Sequence, residues 1–235
     1  MLLYVIRHGD PIYDPDTLTP KGKLQAAAMG KRLAIHGVDR VFVSPNGRAR
    51  ETCQPTCDLL GLTPTVEPWT SEDLTWRDFS RVDEAGRRNW AFFMFPGHIL
   101  RSDPVALGDR WYESRFFDGT NAKAGYERVQ READAFLLRL GYQREGEAYR
   151  IVSPSEERVA LFCHQGFGLT FLSHLLAIQP VRFWTSFDIS HSCLTVLRFA
   201  NHADGLTVPT CLCLSDMSHL ARDGLPMIYN NRIPL

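Results

Sequence analysis

The tripeptide Arg7-His8-Gly9 brings a guanidinium, an imidazole and a permissive backbone position together near the start of this 235-residue chain. Residues 2–6 before it are apolar, with β-branched and aromatic members, a pattern typical of a buried strand. A strand that ends in this way delivers a cation and an imidazole to the carboxyl edge of a sheet, where open α/β sheets bind ligands. Gly9 lets the backbone approach such a ligand closely. Alone, the tripeptide favours an ordinary structural histidine, so its meaning depends on partners elsewhere in the chain.

Two further segments supply such partners. A second apolar strand, at 158–163, is followed by His164, with Gly166 two positions later. A third strand, at 38–43, is followed by a helix that carries Arg48 in its first turn. Helix N-termini attract anions, and arginine binds phosphate oxygens through paired hydrogen bonds. Two guanidiniums and two imidazoles at one sheet edge predict a phosphate-binding pocket.

The elements that must position these residues alternate along the chain. After the first strand, a helix begins near Thr19 and Pro20, which suit an N-cap and a first helical position, and it ends near Gly37. Further helices are predicted at 44–60, 124–140 and 167–177, and further strands at 149–152, 193–199 and 207–214. This order predicts an α/β fold, a three-layer α/β/α sandwich with a mostly parallel central sheet, in one domain over residues 1–235.

Residues from about 69 to 123 interrupt the alternation with an insertion rich in aromatic side chains and arginines. Four of the five tryptophans lie in it, so it must bury apolar surface of its own. Its aromatic residues are Trp69, Trp76, Phe79, Trp90, Phe92, Phe93, Phe95, Trp111, Tyr112, Phe116 and Phe117. We expect a helical cap that has a small apolar core and also covers the site, where it sets substrate choice.

The overall composition excludes several classes of partner. The formal net charge is −1, so no global field attracts nucleic acid or an anionic membrane. No apolar run is long enough to span a bilayer, and the first strand leaves no room for a signal peptide. The six cysteines lack the spacing of a structural zinc site. We therefore expect a cytoplasmic protein with reduced thiols and no metal.

Taken together, the motifs resemble those of the histidine phosphatase superfamily, also called the phosphoglycerate-mutase-like family, and its phosphatase-type branch in particular. In chain order, the matching segments are Arg7-His8-Gly9, residues 18–26 (LTPKGKLQA), Ser44-Pro45 with Arg48, Ala49 and Thr52, and His164 with Gly166. The four motifs span residues 7–166 in the family's order, and as a set they are far more specific than any one of them. The loop after Gly9 departs from the family, because Asp10, Pro11 and Asp14 stand where other residues are common.

The resemblance implies a role for each matching residue. His8 corresponds to the nucleophile, which attacks phosphorus and forms a phosphohistidine. Arg7, Arg48 and His164 correspond to the groups that neutralise the phosphoryl oxygens, next to the backbone of Gly9. The pocket therefore binds a small phosphorylated substrate.

A general acid is also needed, because the leaving oxygen must be protonated. In the family this acid lies between the second arginine and the second histidine, and residues 69–74 (WTSEDL) match that region. We choose Glu72 for the role, with Asp73 as the alternative. An ordinary helix-capping carboxylate is the structural explanation for either residue.

The resemblance implies a metal-independent phosphomonoester hydrolase that uses no cofactor and acts on a small phosphorylated metabolite. One alternative is a mutase, which forms the same phosphohistidine but returns the phosphoryl group to its substrate. The other is a non-catalytic module that only binds phosphate for regulation. The segments that follow the acid in long mutases are missing from this sequence, and the full set of catalytic residue types is present, so we favour the hydrolase.

The remaining candidates are expected to serve structure. For His191, His202 and His219 we expect surface or hydrogen-bonded structural histidines, with His219 at the pocket rim as the alternative. Arg50 is expected to face solvent from the helix that carries Arg48. The apolar tail at 225–235 is expected to pack over the domain or across a homodimer.

Overall fold

A six-stranded sheet lies at the centre of the computed structural model, which describes residues 1–94 and 96–229. The strands are β1 (Leu2–Arg7), β2 (Pro11–Ile12), β3 (Thr17–Leu18), β4 (Arg40–Val43), β5 (Thr65–Val66), β6 (Ser80–Val82), β7 (Arg88–Trp90), β8 (Tyr142–Glu145), β9 (Ala148–Ile151), β10 (Arg158–Cys163), β11 (Leu194–Arg198), β12 (Leu206–Thr207) and β13 (Thr210–Asp216). The α-helices are α1 (Pro20–His36), α2 (Gly47–Leu60), α3 (Glu72–Phe79), α4 (Ala91–Met94), α5 (Pro96–Arg101), α6 (Asp103–Ala106), α7 (Ala122–Arg139), α8 (Gln165–Leu175), α9 (Pro180–Ser186) and α10 (Ser218–Arg222). Short 3₁₀ helices occupy Pro68–Thr70, Gly108–Glu113 and Arg115–Phe117.

The central sheet has the strand order β13-β11-β1-β10-β4-β5. Strands β1, β10, β4 and β5 run parallel, whereas β11 and β13 are antiparallel to their neighbours. The expected α/β fold with a mostly parallel sheet is therefore confirmed. The strand predicted at 149–152 exists as β9, but it pairs with β8 and β12 in a separate sheet. The strand predicted at 207–214 is divided between β12 and β13.

Side chains of the central strands alternate between two apolar cores on opposite faces of the sheet. From β1, Tyr4 and Ile6 join the core that contains residues of α1 and α2. Leu3 and Val5 join the larger core with residues of α7, α8 and α9. Because both faces are covered, the strands at the centre read as continuous apolar runs rather than alternating ones.

The helix starts follow local capping chemistry. Thr19 accepts a hydrogen bond from the backbone N–H of Gly22 at 3.0 Å, and Pro20 occupies the first turn of α1, as predicted. Gly37 ends the helix with a φ of 77°, which lies in the region that favours glycine. Helix α2 begins at Gly47, later than the predicted start at residue 44, because the chain first turns through Asn46.

The insertion shares the larger apolar core with the rest of the molecule. Its strands β6 and β7 form a hairpin, so the insertion is not purely helical as expected. Phe92 stacks on Trp184 of α9 with ring centroids 4.6 Å apart, and Trp111 meets the same ring edge-on at 5.0 Å. Trp69, at the start of the predicted cap, packs instead against Phe167 of α8. These contacts fix the insertion against α8 and α9.

Parts of two predictions lie outside the described residues. Phe95 of the cap and residues 230–235 of the tail are among them. Leu225 and Met227, in the described part of the tail, pack against the larger core. The homodimer stays a prediction. Within residues 1–94 and 96–229, no helix is long and apolar enough to cross a membrane.

Two glycines allow the loop after β1 to press against α1. A Cβ on Gly9 would lie 2.8 Å from the carbonyl oxygen of Gly22, and a Cβ on Gly22 would overlap the carbonyl oxygen of Asp10. In return, the backbone N–H of Thr19 donates to the carbonyl of Asp10 at 3.0 Å. This contact sets where the chain leaves β1, and with it the position of His8.

We predict that Gly22→Ala lowers the free energy of unfolding by about 1–3 kcal/mol, because the added methyl group forces the loop away from α1. Gly97→Ala is the matched control. A Cβ there meets nothing within 4 Å, and alanine is favoured over glycine in a helix by about 0.5–1 kcal/mol. Urea unfolding followed by circular dichroism measures both variants. Equal stability of the two variants would contradict the proposed contact.

Candidate active site

The carboxyl ends of β1, β4 and β10 meet at a cavity of about 650 Å³, lined by Arg7, His8, Arg48 and Glu72. The parallel register pairs the last residues of β1 and β10, so that His8 and His164 leave the sheet side by side. Their ring centroids are 5.2 Å apart. A larger cavity of about 730 Å³ lies within the cap and contains none of these side chains, so we take the smaller one as the site.

The imidazole of His8 is held as a neutral ring with one nitrogen available. Its Nδ1 donates to the carbonyl of Gly9 at 2.7 Å, because a carbonyl can only accept. The lone pair therefore lies on Nε2, which faces the Nε–H of Arg48 at 3.4 Å. Burial, followed by the charges of His164 and Arg7, lowers the pKa of His8 well below its ordinary value. A neutral imidazole that carries its lone pair on Nε2 can act as a nucleophile at pH values above its lowered pKa.

Arg7 is fixed by two acceptors at the rear of the cavity. Its Nη1 donates to the carbonyl of Ile189 at 2.6 Å, and its Nη2 donates to Nε2 of His191 at 2.7 Å. Burial, with a contribution from Arg7, lowers the pKa of His191 to about 3. His191 is therefore neutral near pH 7 and able to accept. The Nε of Arg7 is buried without a partner in the described part of the chain, which leaves a donor for a ligand.

Arg48 is oriented by Asp16, which also caps the helix on which it lies. Nη1 of Arg48 is 2.8 Å from Oδ1 of Asp16. The backbone N–H groups of Gly47 and Arg48 donate to the same carboxylate at 2.8 and 3.2 Å. Burial opposes the charge of Asp16, but the hydrogen bonds and charge of Arg48 outweigh it and hold the pKa of that carboxyl below its ordinary value. The first turn of α2 is thus fixed against the β1–α1 loop.

His164 is fully buried and directed by Ser44. The Ser44 hydroxyl donates to the side-chain oxygen of Asn46 at 3.2 Å, so it accepts from Nε2 of His164 at 2.7 Å. The Nδ1 atom of His164 has no partner among residues 1–94 and 96–229. Burial, with the charges of Arg48 and Arg7, lowers the pKa of His164 well below its ordinary value. A bound anion would reverse this effect and favour the protonated ring.

Glu72 lines the cavity and is hydrogen-bonded to the N-terminus of α8. One carboxylate oxygen accepts from the backbone N–H of Gly166 at 2.8 Å, and the other accepts from that of Phe167 at 2.9 Å. Burial raises the pKa of Glu72 despite these hydrogen bonds. A raised pKa is what a general acid requires. Asp73, the alternative acid, is exposed, and its Oδ2 accepts from Nδ2 of Asn46 at 3.1 Å.

The structure brings all the predicted site residues to one place: Arg7, His8, Gly9, Arg48, Glu72 and His164. Arg50 and His202 are exposed, as expected. His219 is buried beside Ser192 at 3.3 Å and does not line the cavity. The structural role expected for His219 thus agrees with its position.

Two residues that contact the site were not found from the sequence. His191 is hydrogen-bonded, as expected of a structural histidine, but its partner is Arg7. It reaches that place because β11 pairs antiparallel with β1, which no local pattern shows. Asp16 lies in the same loop as Asp10 and Asp14. It caps a helix that starts 31 residues later in the chain, so it gives no local capping signal.

Residues 3–93 match the profile of the histidine phosphatase superfamily (branch 1). A probable phosphoglycerate mutase, GpmB, of Erwinia tasmaniensis is 29% identical over 75 residues, which cover 28% of this chain and 35% of that relative. The chain therefore matches little more than a third of the length of that curated relative.

Solved structures share the fold over nearly the whole chain. A mutant phosphoserine phosphatase from Entamoeba histolytica, in complex with phosphoserine, has a TM-score of 0.61 at 14% identity and covers 93% of this chain and 98% of its own. A mycobacterial glucosyl-3-phosphoglycerate phosphatase has a TM-score of 0.59 at 14% identity, with 91% and 98% covered. At these identities the likeness shows a common fold.

We predict that His191→Ala weakens the binding of inorganic phosphate about tenfold, because loss of a hydrogen bond to a charged, buried group costs about 1.5 kcal/mol. The control is His202→Ala, which removes an exposed histidine. Isothermal titration calorimetry with phosphate measures both variants. Wild-type affinity in His191→Ala would show that His191 does not position Arg7.

Proposed function

We propose that this chain is a metal-independent phosphomonoester hydrolase that acts through a phosphohistidine at His8. The match of residues 3–93 to the histidine phosphatase superfamily supports phosphoryl hydrolysis or transfer in general. The observation that carries the finer proposal is the neutral imidazole of His8, whose Nε2 accepts from Nε of Arg48 at 3.4 Å and whose ring centroid lies 5.2 Å from that of His164. The substrate is a small phosphorylated metabolite.

In the first step, Nε2 of His8 attacks phosphorus as the bond from phosphorus to the leaving oxygen breaks. The guanidiniums of Arg7 and Arg48 donate hydrogen bonds to the phosphoryl oxygens and offset their charge. His164 adds a third donor once the bound anion has favoured its protonation. Glu72 gives its proton to the leaving oxygen, so that the alcohol departs uncharged. The products of this step are the alcohol, the phosphohistidine and the Glu72 carboxylate.

In the second step, water attacks phosphorus in the place that the alcohol has left. The Glu72 carboxylate takes a proton from this water, and the bond between phosphorus and Nε2 breaks. Inorganic phosphate leaves, and both Glu72 and His8 return to their starting protonation states. The hydrogen bond from Nδ1 of His8 to the carbonyl of Gly9 supports both steps, because it holds the ring at one orientation and in one tautomer.

A mutase is the second candidate, since the curated relative from Erwinia tasmaniensis bears the name of a probable phosphoglycerate mutase. Such an enzyme would retain the alcohol and return the phosphoryl group to it. Turnover of 3-phosphoglycerate with its bisphosphate, followed by phosphorus NMR, separates the two reactions. A non-catalytic module has less support, because nucleophile, acid and charge-neutralising groups are all present.

We further propose that the enzyme works in the cytoplasm, without nucleic acid or membrane partners. Support comes from its six cysteines, which are free thiols. Reduced thiols are typical of that compartment. The net charge of −1 supports the absence of a nucleic acid partner.

We predict that His8→Ala loses hydrolysis of an aryl phosphate by about four orders of magnitude or more, as expected for removal of a covalent nucleophile. Circular dichroism should show an unchanged fold, and the control variant His202→Ala should keep full activity. Vanadate should inhibit the wild type, and EDTA should not. Retained turnover in His8→Ala would reject the phosphohistidine, and loss of activity in EDTA would point to a metal enzyme.

We predict that Glu72→Gln slows alkyl phosphates by about 10²–10⁴-fold and aryl phosphates with good leaving groups far less, because only poor leaving groups need the acid. In the wild type, Glu72 donates only below its raised pKa. Activity towards alkyl esters should therefore fall as pH rises through that pKa, and Glu72→Gln should lose this limb of the profile. Steady-state kinetics over a series of leaving groups measures both effects. Equal slowing of all esters would move the acid role to Asp73.

A further inference from the structure

The cavity extends beyond the phosphate-binding side chains, and its outer wall is aromatic and acidic. Aromatic rings, amides and an exposed carboxylate form this wall: Tyr13, Trp76, Trp90, Asn46, Asn89, Gln165 and Asp73. A leaving alcohol must lie against this wall, since Glu72, the proposed acid, lines the same cavity. The wall therefore selects the alcohol.

Positive charge in the cavity lies at one end, beside His8. We call this the phosphate end. Among the described residues that line it, the cationic side chains are Arg7 and Arg48. Arg7 is held by a backbone carbonyl and His191, and Arg48 is held by Asp16. Both are therefore fixed at the end of the cavity where His8 lies, and we assign both to the phosphoryl group.

The arginines that the cap contributes near this wall are bound elsewhere. Arg77 pairs with Asp78 at 2.9 Å. Arg88 donates to the hydroxyl of Ser80 at 3.0 Å, and Arg81 donates to two backbone carbonyls of the cap. These three arginines do not line the cavity, whereas the exposed carboxylate of Asp73 does.

Trp76 and Trp90 pack edge to face in the cavity wall that Glu72 also lines. Their ring centroids are 4.7 Å apart at an interplanar angle of 87°. Trp90 also stacks on Phe92 at 5.2 Å and covers Gly166, where an added Cβ would lie 2.5 Å from its ring. Aromatic faces bind the C–H faces of sugars and flat rings, and they attract ammonium groups. The ring faces themselves do not attract a carboxylate, because their quadrupole is negative.

We propose that the substrate is a phosphomonoester whose alcohol carries no anionic group, with its apolar face on Trp76 and Trp90 and a hydroxyl or ammonium donor towards Asp73. The proposal rests on the hydrolase function proposed above. It separates this chain from the Entamoeba phosphatase solved with phosphoserine, a ligand that bears a carboxylate. A carboxylate in the same place would face Asp73 and be repelled by it.

The test compares pairs of esters that differ at the carboxylate. Phosphoethanolamine is paired with phosphoserine, and glycerol 3-phosphate is paired with 3-phosphoglycerate. We expect kcat/KM to be about tenfold or more higher for the carboxylate-free member of each pair. High ionic strength should reduce this preference, because the repulsion acts across a partly exposed cavity. Equal kcat/KM within both pairs would overturn the inference and leave the hydrolase proposal standing.

Asp73→Asn tests the source of the preference. It should raise kcat/KM for the two carboxylated esters and lower it for phosphoethanolamine. Asp118→Asn, an exposed cap carboxylate that does not line this cavity, is the matched control and should keep the wild-type preference. An unchanged preference in Asp73→Asn would reject the role given to Asp73.

A binding measurement makes the inference independent of turnover. Calorimetry on the His8→Ala variant should show tighter binding of phosphoethanolamine than of phosphoserine. If no ester, including an aryl phosphate, is hydrolysed by the wild type, the hydrolase proposal fails, and the order of these two affinities still decides the inference. Tighter binding of phosphoserine would overturn it.

Discussion

The parallel pairing of β1 with β10 is the contact on which the rest of the site depends. The register opposes Leu2 to Arg158 and Arg7 to Cys163, so both strands end at the same level. The backbone N–H of His8 continues the pairing by donating to the carbonyl of Cys163 at 3.0 Å. A shift of one residue would turn one of the two histidines to the other face of the sheet. Two buried cores, one on each face, make such a shift costly, and this fixes the pair of imidazoles.

Burial then sets the pKa values of the two imidazoles and of Glu72. Imidazoles lose their charge readily when they leave water, whereas guanidiniums keep theirs, because the pKa of arginine starts so high. Burial lowers the pKa of Arg7 as well, but from a far higher ordinary value than that of histidine. The outcome is a pocket in which arginines carry the positive charge and His8 keeps a lone pair. The same burial raises the pKa of Glu72, so one physical cause would prepare both the proposed nucleophile and the proposed acid.

The cap contacts the start of α8, and the same helix terminus is hydrogen-bonded to Glu72. Trp90 lies against Gly166, and the backbone N–H of Gly166 donates to Glu72. Only glycine leaves room for the tryptophan at this position. The surface that would select the alcohol and the carboxyl that would protonate it are therefore built on one helix terminus. Changes in the cap can alter the position of the acid as well as the shape of the cavity.

The sequence by itself determined the elements and the residues that end them. Apolar runs followed by histidine, Thr19 with Pro20 at a helix start, and Arg48 on a first turn are local signals, because strand burial and helix capping act over a few residues. They were enough to predict the α/β fold and to single out His8, Arg48 and His164 as neighbours, whereas Glu72 was chosen from the resemblance to a known family. The roles of these residues came from the resemblance to a known family.

Only the tertiary structure decided which distant groups hold the site residues in place. His191 meets Arg7 through an antiparallel pairing between segments far apart in the chain, and Asp16 meets Arg48 across a loop. It also decided that the cap arginines are bound within the cap, while Asp73 and two tryptophans face the cavity. Sequence periodicity reports which side of an element is buried. It does not report what lies opposite, since that depends on how all the elements pack together.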